Sequence, residues 1–141
     1  MSLEIDGRTI SFQRGVTILR AAEGAGIRIP SLCSIRGLSP YGSCRICSVE
    51  IEGRRGYYAA CTTPAEEGMK VRASSEKLAS MRRTIIELYL SDHPEDCDIC
   101  NSKGACAVKQ AAMDAGVTGS RFRGRDHLGA PKDESDPYFT Y

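Results

Sequence analysis

Over the first thirteen residues apolar and polar positions alternate. Leu3 and Ile5 are flanked by polar neighbours, Asp6-Gly7 supplies a two-residue turn, and Ile10 and Phe12 return on the same face. That pattern predicts a β-hairpin. The period then lengthens. Thr17 is placed to cap a short helix, with Ile18, Ala21, Ala22 and Ala25 at helical spacing and Gly26 to stop it. Pro30, Gly37, Pro40 and Gly42 punctuate the stretch up to Cys47, which reads as a loop. Val49 and Ile51 resume the alternation, Gly53-Arg54-Arg55-Gly56 turns the chain into Tyr57-Tyr58-Ala59-Ala60, and Met69, Val71 and Ala73 mark one more short strand. Hairpin, helix, loop, hairpin and closing strand predict a small sheet crossed by one helix, an α+β unit over residues 1–74.

Helical periodicity takes over from Ser74 or Ser75. Leu78, Met81, Ile85, Leu88 and Tyr89 form one apolar stripe, read as core packing. His93 stands before Pro94 and is pushed toward an extended conformation, so the helix is expected to stop near Ser91-Asp92. A further helix is expected from about Ala105, with Val108, Ala111, Ala112 and Ala115 inward and Gly116 as its stop. Residues 75–117 are thus a second, helical unit, and 118–141 a tail. In that tail RFRGRDH reads as a solvated basic stretch. Tyr138, Phe139 and Tyr141 crowd the last four positions, where tails are usually polar, so these rings are expected to pack on something outside this chain.

Charge narrows the field. The net charge is +1, from 19 basic and 18 acidic side chains, which gives no field for nucleic acid. No apolar run nears the roughly 18 residues of a membrane span, so direct membrane insertion is not expected. MSLEIDGRTI lacks the basic-then-apolar pattern of an export signal, and a cytoplasmic location is expected. Trp is absent and aromatics are few, so the core must be modest, and a modest core usually needs a staple. Seven cysteines are present, an odd number that fits disulfides poorly and metal ligation well.

The cysteines fall into two groups without remainder. Cys33, Cys44, Cys47 and Cys61 form C-x10-C-x2-C-x13-C; His93, Cys97, Cys100 and Cys106 form H-x3-C-x2-C-x5-C. Each group offers four donors, which suits either a tetrahedral zinc ion or an iron–sulfur cluster. In the first, three cysteines lie on one irregular loop and the fourth beyond a hairpin. Short loops of small residues leave backbone N–H groups free for bridging sulfides, and Gly42 and Ser43 let the chain come close, which tilts the group toward a 2Fe-2S cluster. In the second, C-x2-C spacing with two outlying donors suits a wider 4Fe-4S cube. His93 is read as its odd ligand, which makes the site less negative by one thiolate and raises its potential. His127, without such company, reads as a surface residue. No nucleotide-binding, nucleophile-elbow or zinc-protease motif occurs, and no catalytic residue is assigned.

These motifs together resemble the N-terminal electron-transfer module of the complex I 75-kDa (G) subunit family. The same module occurs in the diaphorase small subunit of NAD-reducing hydrogenases and in the alpha subunit of NAD-dependent molybdenum or tungsten formate dehydrogenases. GSCRICSVEIEGRRGY, CTTPAEEGM, LYLSDHPEDC and the terminal SDPYFTY resemble the last of these most. The resemblance implies a β-grasp, ferredoxin-like 2Fe-2S domain, then a small helical 4Fe-4S domain with one histidine and three cysteine ligands. It also implies a flavin- and NAD-binding diaphorase-type partner and a downstream molybdopterin region. A pair of zinc sites serving recognition is the competing reading.

Overall fold

The computed structural model describes residues 1–93 and 106–123. Strand β1 (Ser2–Ile5) and strand β2 (Arg8–Ser11) form the expected hairpin, with Leu3 opposite Ile10 and Ile5 opposite Arg8. Asp6 and Gly7 both take positive φ, 48° and 81°, as a two-residue turn with the right twist requires. Helix α1 (Ile18–Gly24) starts at Thr17, whose side chain accepts from the backbone N–H of Arg20 at 3.4 Å. Strand β3 (Ser48–Ile51) pairs antiparallel with the short β4 (Tyr58–Ala59), and β5 (Lys70–Arg72) follows.

The last strand enters the middle of the sheet. The order is β2-β1-β5-β3-β4, with β5 parallel to β1 and antiparallel to β3. Alternation along each strand then sends Leu3, Ile5, Ile10, Val49, Ile51 and Val71 to one face, where Ile18, Leu19, Ala21 and Ala22 of α1 cover them. Each fully buried aliphatic side chain contributes about 1.5–3 kcal/mol. Asp6 ties the end of this unit down: its carboxylate accepts from the N–H groups of Ala73 (2.9 Å) and Ser74 (3.2 Å) and from the Ser74 hydroxyl (2.8 Å).

Helix α2 (Glu76–Ser91) begins at Ser75, which caps the N–H of Leu78, and α3 (Ala107–Ala115) ends at Gly116 with φ 65°. The expected apolar stripe of α2 is corrected. Leu78 and Ile86 are the buried residues, whereas Leu88 is 51 % exposed and Tyr89 41 %. The inward face runs through positions 78, 82 and 86 because Arg82 finds carbonyl partners there, which turns Leu88 outward. A second apolar cluster joins Ile86 of α2 with Ala111 and Ala112 of α3 and with Cys44 and Ile46 of the long loop.

In the tail, Arg121 is not simply solvated: it makes a two-pronged ion pair with Glu87 of α2, at 2.6 to 2.9 Å. Arg125, His127 and the terminal aromatics lie outside the described residues. Among the described residues no helix is long and apolar enough to cross a membrane.

Candidate metal centre

The loop between α1 and β3 carries three of the candidate donors. Cys33 is half-buried, and Cys44 and Cys47 are buried. On either side of Cys44 in this loop, Gly42 (φ 72°) and Arg45 (φ 59°) adopt left-handed backbone. Gly42 must be a glycine twice over, since a Cβ there would also meet the Thr62 methyl at 3.0 Å. Arg45 is a rarer choice in that conformation, held by its guanidinium donating to the Tyr57 carbonyl at 3.0 Å and by its own carbonyl accepting from the Ser48 hydroxyl at 2.6 Å.

Cys61 comes from the far side of the β3–β4 hairpin. The Ala60 N–H donates to the Cys47 carbonyl at 3.2 Å, and the Ala60 carbonyl accepts from the Leu19 N–H at 2.9 Å. Strand and helix therefore both fix the residue just before it. Thr62 and Thr63 turn back onto the Ala59 carbonyl, which presents the buried Cys61 thiol to the loop.

The four thiols act on one another. Burial pushes the Cys33 thiol up, but hydrogen bonds from the Cys44 backbone and side chain and from Ser43 outweigh it and bring the thiol down to about 7. Cys61 moves the other way: burial, then its hydrogen bond with Cys47 and the charges of Cys47, Cys33 and Cys44, push it up to about 12. Cys44 is thus a hydrogen-bond neighbour of Cys33 and Cys47 one of Cys61, while the charges of all three other cysteines reach Cys61. Among the described residues no three His, Cys, Asp or Glu donors gather as the ligands of one ion. A two-iron cluster takes two thiolates on each iron, four in all, which is the number of thiols here. Buried thiols repel one another as thiolates, and a metal that replaces their protons removes that penalty.

Of the second set, His93 follows the last turn of α2 and is half-buried, with its N–H on the Leu90 carbonyl at 3.3 Å. Cys106 caps α3, its sulfur accepting from the Lys109 N–H at 3.4 Å. Cys97 and Cys100 lie outside the described residues.

Comparison with known proteins decides the family. Residues 1–76 match the model of the 2Fe-2S iron-sulfur cluster binding domain. The chain belongs to that family. Residues 82–121 match the NADH-ubiquinone oxidoreductase-G iron-sulfur binding region, so both a 2Fe-2S and a 4Fe-4S cluster belong to this chain, on the expected α+β, ferredoxin-like fold. The NADPH-Fe(3+) oxidoreductase subunit alpha of Geobacter sulfurreducens (strain ATCC 51573 / DSM 12127 / PCA) is 42% identical over 97% of this chain and 17% of its own length. The NADP-reducing hydrogenase subunit HndD of Solidesulfovibrio fructosivorans is 40% identical over 96% of this chain and 24% of its own. A crystal structure of an NAD+-reducing NiFe hydrogenase superposes with a TM-score of 0.83 at 35% identity, over 96% of this chain and 57% of that one. The chain therefore spans a fraction of the curated relatives it matches. It is an iron–sulfur electron-transfer segment of the kind found in NADH-G-like oxidoreductase subunits.

Residue-level reasoning from the sequence pointed to Gly42 and Ser43 but missed Arg45 and Arg82. Arg45 carries no signal in one sequence, because its role depends on backbone conformation. Arg82 had one: it is the polar residue at the middle of the 78–82–86 series.

Proposed function

We propose that Cys33, Cys44, Cys47 and Cys61 hold the 2Fe-2S cluster, and that His93, Cys97, Cys100 and Cys106 hold the 4Fe-4S cluster. The observation that carries the first assignment is that Cys44, Cys47 and Cys61 are buried and free, with the Ala60 N–H on the Cys47 carbonyl drawing the chain before Cys61 against the cysteine loop. The second rests on ligand spacing. Bound there, the clusters supply one-electron storage. The chain's own residues exclude water from three of the four thiols and aim N–H groups at Cys33. Residues 1–74 and 75–117 divide the two sites, with 118–141 leading onward.

In its whole assembly the segment carries electrons between a flavin- and NAD-binding diaphorase-type subunit and a second redox centre, in the cytoplasm. The names of the relatives, which couple NADPH or NADP to other redox reactions, support the first partner. For the second we infer a downstream molybdopterin region of a formate-dehydrogenase-like enzyme. Support comes from GSCRICSVEIEGRRGY, CTTPAEEGM, LYLSDHPEDC and SDPYFTY. The same module in a hydrogenase or a complex I-type dehydrogenase is the second reading, favoured by the 0.83 superposition on a hydrogenase chain. Formate-dependent NAD reduction by the intact assembly separates them.

The site assignment is tested by anaerobic purification, iron and acid-labile sulfide analysis, and EPR. C61A is expected to abolish or cripple the 2Fe-2S signal and leave the other cluster's signal detectable. Stoichiometric zinc without labile sulfide would overturn the reading, and joint loss of both signals would overturn the division near Ser74.

A further inference from the structure

Helix α2 sends one cation back into the cysteine loop. Arg82 lies one turn beyond Leu78 and one turn before Ile86, both fully buried. Its Nε donates to the Ile46 carbonyl at 3.0 Å and its Nη2 to the Ser48 carbonyl at 2.9 Å. Those carbonyls belong to the two residues flanking Cys47, which is itself 1% exposed. A planar guanidinium using two different nitrogens fixes direction as well as distance, which an ammonium cannot do. Burial pulls the guanidinium down from its usual range, and the negative charges of Cys47 and then Asp6 act against that. An arginine nevertheless stays charged in such a place. The molecule thus keeps a permanent positive charge, half out of water, within reach of one candidate ligand.

We infer that Arg82 is a positioning and charge-balancing residue of the 2Fe-2S site: it clamps the backbone on both sides of Cys47 and favours the reduced state. The inference rests on the ligand assignment proposed above. Its sign follows from charge alone. Reduction adds one negative charge to the site, so a fixed cation nearby stabilises the reduced form more than the oxidised and raises the midpoint potential. It also means that the helical unit, which carries the candidate ligand His93 at its far end, reaches into the other unit's centre with its own side chain.

The test is EPR-monitored redox titration of the 141-residue chain with its clusters assembled, comparing wild type, R82Q and R82K. R82Q, which removes the charge and keeps one donor group, is expected to lower the reduced-to-oxidised ratio of the 2Fe-2S centre about tenfold at fixed ambient potential, equal to ~59 mV for one electron. R82K, which keeps the charge, is expected to stay within about twofold of wild type, and so is the 4Fe-4S midpoint in both variants. An unshifted R82Q, an R82K shifted as far as R82Q, or equal displacement of both centres overturns the inference. If R82Q cannot hold the cluster, retention by R82K at an unshifted midpoint supports it; loss in both variants overturns the charge-balancing role, because the cluster then depends on the two-carbonyl clamp and not on the charge that lysine keeps. Absence of any 2Fe-2S signal in wild type is a different failure, that of the ligand assignment itself.

Discussion

Gly42 is the residue at which backbone conformation and packing make the same demand. Its φ of 72° is left-handed, and a methyl group would stand 3.0 Å from the Thr62 methyl, one residue beyond Cys61. The left-handed conformation costs an L-residue about 1–2 kcal/mol, and the contact adds to it. G42A should therefore lose at least about that much stability on urea denaturation of the cluster-loaded chain. Adding T62S removes the methyl and should restore only part of the loss, because the φ penalty remains. Full restoration would mean that crowding alone requires the glycine, and no loss at all would mean that the backbone is not left-handed there. Arg45 solves the same conformational problem differently, through its guanidinium on the Tyr57 carbonyl and its carbonyl on the Ser48 hydroxyl. This contrast explains what could be read from the chain beforehand. Cysteine spacing was legible because ligand chemistry fixes residue type, whereas the conformation of Arg45 and the N–H donors of Ser43 and Cys44 arise from how the loop folds on Cys33.

Helix α2 is the element whose orientation the apolar pattern misassigned. Short strands with period-two alternation and a helix opened by Thr17 leave little choice of face. In α2, two apolar series compete, and the winning one contains Arg82. A polar residue loses no stability at an inward position when two carbonyls meet it there. The exposed Leu88 and the buried Ile86 are two residues apart and on different faces, which makes the orientation measurable. I86A should cost about 2–5 kcal/mol, the usual range for emptying a buried aliphatic site. L88Q should stay within about 0.5 kcal/mol of wild type, as exposed substitutions do. Urea midpoints at constant slope would show it. A large cost for L88Q with a small one for I86A would mean that the helix presents the stripe Leu78, Met81, Ile85 and Leu88 to the core after all.

Two apolar clusters of unequal strength share the loop that carries the candidate ligands. The first holds Leu3, Ile5, Ile18, Leu19, Val49, Ile51 and Val71 and meets Cys47 and Cys61 at its margin. The second holds Ile86 and two alanines, and completes itself with Cys44 and Ile46. An alanine removes little apolar area from water compared with the ~1.5–3 kcal/mol of a buried large aliphatic, so the second cluster depends on the loop being where it is. The surface tie between the parts, Arg28 to Asp114, involves an arginine that is mostly exposed, and such a pair is worth about 0–1 kcal/mol. It cannot replace the loop. Without iron, the four thiols lose the bonds proposed to gather them, and those that ionise repel one another. Removing iron with a chelator under reducing, anaerobic conditions should therefore act unevenly on amide hydrogen exchange. Protection should persist in β1, β5 and α1, whose partners are aliphatic and local to the first cluster, and should fall toward that of open chain in residues 42–47 and in α3. Equal retention of protection in α3 and in β1 after iron removal would show that the helices pack without the loop. Collapse of β1 and β5 together with α3 would show instead that the metal holds the whole molecule, and that the sheet and α1 do not make a self-sufficient core.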